Sequence, residues 1–267
     1  MMRFDTPLPI DAVLPEISST LDDRSNAVLV APPGAGKTTR VPLALLDARW
    51  RGDGKIIVLE PRRVAARAAA SRMAAAFAET VGETVGLRAR LDTRISRKTR
   101  IEVVTEGVFT RMILADPMLE GIAAILFDEF HERSLDADLG LALALDAQAL
   151  RNDLRILVMS ATLDGARIGA LLHPDAAPVI LSDGRSFPVE TRYVGRKAND
   201  RIEDQIADVV SRAVRAEPGS VLAFLPGQAE IHRVGERLAT RLTTANVDIA
   251  PLYGAMDGAS QDAAVRP

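Results

Sequence analysis

Three runs of apolar residues each stop at a cluster of polar ones, and that recurrence limits the folds open to this 267-residue chain more than any other feature. Val28-Leu29-Val30 leads into Ala31-Pro32-Pro33-Gly34-Ala35-Gly36-Lys37-Thr38. Ala124-Ile125-Leu126-Phe127 leads into Asp128-Glu129-Phe130-His131, and Ile156-Leu157-Val158-Met159 into Ser160-Ala161-Thr162. Short, bounded apolar runs read as strands buried on both faces, and open α/β sheets take their ligands beyond the carboxyl ends of such strands. Three polar clusters on three strand ends therefore predict one shared site.

The rest of the chain keeps the same rhythm. Apolar runs alternate with helical patterns, which predicts an α/β fold: a parallel sheet with helices on both faces. Strands are expected at Val28–Ala31, Ile56–Glu60, Ile101–Thr105, Ala124–Asp128, Arg155–Ser160 and Val179–Leu181, with helices at Arg63–Thr80 and Ser134–Leu150. Ser134 suits an N-cap, and Asp136 suits the positive end of that helix. The polar stretch Ser182-Asp183-Gly184-Arg185-Ser186 reads as a linker, dividing the chain into domains 1–183 and 184–267. The second domain repeats the grammar: strand Val189–Val194, helix Arg201–Ala216, strand Val221–Leu225, helix Gln228–Leu242 and strand Val247–Ala250.

The first polar cluster has the chemistry of a phosphate cradle. Backbone N–H groups of a glycine turn, followed by a helix N-terminus, surround phosphate oxygens. Gly34, Ala35 and Gly36 make the turn, Lys37 reaches the outer phosphates, and Thr38, followed by Thr39, offers a hydroxyl to Mg²⁺. The pattern GxxxxGK[ST] begins with glycine, whereas Ala31 stands at that place here. In the second cluster, a strand-end aspartate (Asp128) holds Mg²⁺ through water, and the adjacent Glu129 orients or deprotonates the attacking water. An acidic pair after a strand is weak evidence alone; the phosphate loop upstream gives it meaning. His131 is one of three histidines and has no Cys or second His beside it, which disfavours a metal role. His131, Ser160 and Thr162 suit a bridge between the nucleotide and a neighbouring element.

Composition narrows the setting. The chain contains no cysteine, which excludes disulfides and thiolate metal sites and suits a reducing cytoplasm. Residues 1–9 lack a signal-peptide pattern, and no apolar run approaches the ~18 residues of a membrane helix. With a net charge of −3, any nucleic-acid surface must be a local basic patch.

The segments APPGAGKTTRVP, LEPRRVAARAAASRMA, VVTEGVFTRM, DEFHERSLDADL and VMSATLDG, in this order, resemble the motor region of DEAH-type superfamily 2 ATP-dependent helicases. Phe130 replaces the alanine of DEAH, at the variable position of DExH. The resemblance implies a RecA-like P-loop NTPase domain followed by part of a second one, with ATP and Mg²⁺ as ligands. It assigns phosphate and Mg²⁺ binding to Lys37 and Thr38. Asp128 and Glu129 become catalytic acids alongside Lys37, and coupling of hydrolysis to movement falls to His131, Ser160 and Thr162. Arg72 matches an arginine that stacks on adenine, with Val265 near the place of its aromatic partner. Arg62 and Arg63 of PRR, with Thr105, Glu106 and Gly107 of TEG, match strand-binding motifs. These imply single-stranded RNA as partner, with DNA as the alternative. Arginines and hydroxyls on phosphates give affinity without sequence choice.

The run Arg88, Arg90, Arg94, Arg97, Lys98 and Arg100 is expected to be a solvated loop. The family's arginine-rich and threonine-rich motifs of the second domain do not occur before Pro267. The chain is therefore expected to be the N-terminal part of a longer helicase, with the remaining helicase domains as partners and with slow hydrolysis of its own. A nucleotide- or RNA-binding module without turnover is the alternative.

Overall fold

The computed structural model describes residues 6–162, 164–172, 176–184, 188–195, 199–243 and 247–265. The chain divides into two compact units, Met1–Phe187 and Pro188–Pro267. The sequence places that boundary after residue 183; Arg185 and Ser186 of the expected linker lie outside the described residues.

The first unit is built on β1 (Asn26–Val30), β2 (Lys55–Glu60), β3 (Val85–Ala89), β4 (Asp92–Arg94), β5 (Ile101–Thr105), β6 (Ile122–Phe127), β7 (Arg155–Ser160) and β8 (Val179–Leu181). They form one sheet in the order β4-β3-β5-β2-β6-β7-β1-β8, parallel except where β4 runs antiparallel to β3. The expected strand positions hold, with ends shifted by one or two residues at β1, β2 and β6. The β3–β4 hairpin corrects one expectation. Two of the six basic residues of that run lie in paired backbone, with Arg88 opposite Thr93 and Arg94 opposite Leu87.

The central strands carry apolar side chains on both faces, as burial between two helical layers requires. Ala27 and Leu29 of β1 pack with Ile56 and Val58 of β2, Ala124 and Leu126 of β6, and Leu157 and Met159 of β7 on one side. Val28, Val30, Ile57, Leu59, Ile125, Phe127, Ile156 and Val158 pack on the other. The period-2 geometry of a strand sorts neighbouring residues onto opposite faces.

Helices α1 (Leu14–Asp23), α2 (Lys37–Ala44) and α3 (Arg63–Ala75) contribute Leu21, Val41 and Met73 to the first layer. Helices α4 (Glu106–Ala115), α5 (Leu135–Leu150) and α6 (Gly165–Leu172) contribute Phe109, Leu141 and Ile168 to the second. Helix α3 ends at Ala75, short of the expected Thr80, because Ala78 takes a left-handed conformation (φ 55°). Ser134 caps α5 as its sequence suggests, its Oγ accepting the Ala137 N–H at 2.9 Å.

The second unit holds α7 (Ile202–Ala216), α8 (Gln228–Arg241) and α9 (Gly258–Ala264). Ala207 of α7 packs with Val234 and Leu238 of α8, and Glu203, Asp204 and Asp208 pair with Arg233, Arg237 and Arg241. The strands expected at Val189–Val194, Val221–Leu225 and Val247–Ala250 do not form among the described residues. Alternating apolar residues specify a strand's face, but a strand exists only where a partner completes its ladder, and these segments have none among the described residues. Leu222 and Phe224 are accordingly 73% and 86% exposed.

Candidate nucleotide and nucleic-acid site

The strand order explains how polar clusters far apart in sequence meet. β7 lies between β6 and β1, so Ser160 at its end falls between the loop after Phe127 and the loop after Val30. Carboxyl ends of adjacent parallel strands are about 5 Å apart. The phosphate loop, the acidic pair and the Ser-Ala-Thr triplet therefore share one edge of the sheet.

The loop after β1 closes on itself through Ala35 N–H donating to the Pro32 carbonyl at 3.2 Å. Gly34 and Gly36 sit at φ 78° and 98°, backbone conformations that side chains oppose. A Cβ on Gly36 would lie 2.6 Å from the Leu8 side chain, so this position also needs the missing atom for space. Ala31 takes the place of the pattern's first glycine without distortion: it is fully buried, and its N–H bonds to the Ser160 carbonyl at 3.0 Å. Helix α2 begins at Lys37, so its N-terminus faces the loop.

Lys37 is 3% exposed and its ammonium lies 2.6 Å from Glu129 Oε1. The Thr38 hydroxyl donates to Asp128 Oδ2, and Asp128 Oδ1 accepts the Glu129 N–H at 2.8 Å. Burial pushes the Asp128 carboxyl up to about 6, against the pull of Lys37 and of the Thr38 hydrogen bond. Glu129 itself is left-handed (φ 50°), strained backbone of the kind that persists at functional positions. His131 Nδ1 accepts the Ala161 N–H at 3.2 Å and lies 3.4 Å from Glu129 Oε2. That places the DEFH histidine against the Ser-Ala-Thr triplet. Ser160 is fully buried, and its Oγ accepts the Thr162 N–H at 3.2 Å and lies 3.3 Å from the hydroxyl of Thr162, a residue otherwise exposed.

A cavity of about 540 Å³ opens over these groups, lined among others by Gly34, Lys37, Thr38, Arg40, Arg72 and Glu129. Its volume fits a nucleotide-sized ligand. Thr39 and Gly36 line it as well, while Ala35 is buried beneath. Arg72, more than 30 residues away in sequence, reaches the same cavity from α3. No group of three or more His, Cys, Asp or Glu able to cage a metal occurs among the described residues. A hydroxyl beside a carboxylate is instead the donor set of Mg²⁺, which keeps most of its waters and shares phosphate ligands.

Two acidic residues not anticipated from sequence belong to this edge. Glu60 ends β2, the neighbour of β6, and is 4% exposed. Burial first, then Asp128, Glu129 and Glu132, push its carboxyl up to about 8. A glutamate closing an otherwise apolar strand run was the available signal. Glu132 pairs with Arg62, and the Ser134 hydroxyl donates to Glu106 at 2.6 Å. PRR and TEG follow β2 and β5, which are paired through Glu60 and Thr105. Arg62, Arg63, Thr105 and Glu106 are thus brought side by side, on the side of the sheet away from the phosphate loop.

Residues 11–170 match the DEAD/DEAH box helicase family. The chain is 52% identical to the ATP-dependent RNA helicase HrpB of Escherichia coli K12 over 97% of its own length and 32% of that protein's. It is 35% identical to a probable ATP-dependent RNA helicase, the DHX35 homolog of Caenorhabditis elegans, over 88% of this chain and 34% of that one. The crystal structure of the E. coli DEAH/RHA helicase HrpB superposes with a TM-score of 0.89 at 51% identity, covering 98% of this chain and 33% of that one. The chain spans about a third of the length of these relatives. With the family's motifs assembled in order along one edge of a RecA-like sheet, the chain belongs to the DEAD/DEAH box helicases.

Proposed function

We propose that this chain is the ATP-binding part of an ATP-dependent RNA helicase, a motor that couples hydrolysis to movement along single-stranded RNA. The observation that carries this reading is the joint placement of Lys37, Thr38 and Glu129 around one cavity, with Asp128 bonded to Thr38 beside it and with Arg62 and Glu106 just beyond neighbouring strand ends. Lys37 and the N–H groups of Gly34 to Thr39 hold the phosphates. Thr38 and Asp128 would hold Mg²⁺, which when bound would offset phosphate charge. Glu129 orients the attacking water, and Arg72 stacks its guanidinium plane on the base. His131, Ser160 and Thr162 carry the state of the nucleotide away from Glu129. Arg62, Arg63 and Thr105 grip the strand's phosphates, and Glu106, held by the Ser134 hydroxyl, stands beside Thr105 at the same edge.

Residues 1–183 would form the first motor domain and 184–267 the start of a second. The remaining domains of a longer parent protein would then be its partners, working in the cytoplasm. Turnover by this chain alone should be slow, since a cationic finger supplied from elsewhere contributes ~10³–10⁵ in rate. Lys37→Ala tests the assignment: fluorescence titration with an ATP analogue and Mg²⁺ should show affinity lost by orders of magnitude. Unchanged affinity would sink the phosphate site. Strong RNA-stimulated hydrolysis by this chain alone would overturn its dependence on further domains.

A further inference from the structure

The acidic segment does not end at the nucleotide. Phe130–Glu132 is one 3-10 turn bracketed by two residues of positive φ, Glu129 (φ 50°) and Arg133 (φ 49°). Neither is glycine, so both ends of the turn hold backbone strain, a frequent property of switch segments. Between them Phe130 is 3% exposed and packs edge-on against Phe127, with ring centroids 6.1 Å apart. The turn thus has a fixed centre and two strained ends. Glu129, at one end, lies 2.6 Å from Lys37. Glu132, at the other, pairs with Arg62.

That second pair is exposed: the Arg62 side chain is 70% accessible and Glu132 32%. Exposed ion pairs contribute little, so a polyanion that also gains from counterion release can displace the carboxylate. A carboxylate and a phosphate offer a guanidinium the same fork of oxygens.

We infer that Glu132 is a positioning residue that occupies Arg62 in place of a nucleic-acid phosphate. Its displacement by the strand relaxes the turn and lets Glu129 leave Lys37. The inference rests on the strand-binding role proposed for Arg62. In the absence of RNA, Lys37 is held by Glu129 and is less available to phosphates. Once the strand takes Arg62, the turn keeps its tethers at Phe130, at the His131–Ala161 bond and at the Arg133–Asp138 pair, none of which holds Glu129 on Lys37. RNA and nucleotide then favour each other, and by linkage the effect is reciprocal.

Two titrations of this chain test it, one with a fluorescein-labelled oligouridylate and one with a fluorescent non-hydrolysable ATP analogue and Mg²⁺. Glu132→Gln should bind the RNA about two- to five-fold tighter, the range set by losing an exposed ion pair. It should also bind the analogue more tightly without RNA, and RNA should no longer improve that affinity. A purely structural role would not raise both affinities while abolishing their coupling. If Glu132→Gln binds RNA no better, or keeps full coupling, while Arg62→Gln loses RNA affinity, the inference fails and the strand-binding reading stands. If the unaltered chain binds no RNA, or Arg62→Gln binds it equally well, both fail.

Discussion

Replacing Glu60 by Gln should stabilise the first unit, and increasingly so as pH rises. The carboxyl is buried at the end of β2, and its pKa is pushed from the ordinary 4.5 up to about 8 by burial, then by Asp128, Glu129 and Glu132. The folded state therefore holds a proton that the unfolded chain releases. For such a group the stabilising proton is fully present below the unfolded value, and stability falls as pH rises from 4.5 towards about 8. One unit corresponds to 1.36 kcal/mol. At pH 7 the group lies about 2.5 units into that window, a loss of ~3 kcal/mol, growing to ~5 kcal/mol above pH 8. Both are upper bounds, because a charged Glu60 would draw in water. Glutamine keeps the shape, carries no charge and does not titrate.

The measurement is urea denaturation of both proteins in EDTA, without nucleotide, from pH 5 to 9. The chain has a single tryptophan, Trp50, which packs against the core of the first unit, so its fluorescence reports that unit alone. Asp128 titrates in both proteins, so its own contribution largely cancels in the difference, which reports Glu60 together with its repulsion by Asp128. The gap should be small near pH 5, widen by close to 1.4 kcal/mol per unit through neutrality, and level off above pH 8. A gap that stays flat with pH, or a variant less stable than its parent at pH 8, would refute the reasoning.

Other perturbations reach other parts of the site. Gly36→Ala should lower the melting temperature by several degrees and abolish nucleotide binding in a fluorescence titration. It forces a side chain into φ 98° and against Leu8, and the left-handed penalty alone is ~1–2 kcal/mol. Mg²⁺-dependent nucleotide affinity, followed by titration across pH, should fall as pH drops through about 6. Below that value the buried Asp128 takes up a proton that competes with the cation. Ser134→Ala should cost ~1 kcal/mol in chemical denaturation, because it uncaps α5 and removes the donor to Glu106.

Much of the first unit was legible because its two strongest signals are local. A strand buried on both faces writes itself as an unbroken apolar run, and a phosphate loop must lie within a few residues of its strand and helix. Lys37, Thr38, Asp128 and Glu129 were therefore identifiable singly, although their contacts span about 90 residues of sequence. Glu60 and Glu132 were not, for a physical reason. Each matters through a neighbour that sheet order supplies, Asp128 across the β2–β6 pairing and Arg62 across the strand-end loops, and no periodicity records which strands adjoin. The β3–β4 hairpin was hidden differently. Its turn, Arg90-Leu91, lacks the Asn-Gly or Asp-Gly pair that marks two-residue turns, and places Leu91 at φ 65°. The second unit shows the converse error. Val221–Leu225 has the composition of a strand, yet β-propensity measures fit to a pleated, half-buried surface rather than a preference of the isolated backbone. Helices α7 and α8 formed as expected because their hydrogen bonds are internal and each needs only one apolar partner face, which the other provides.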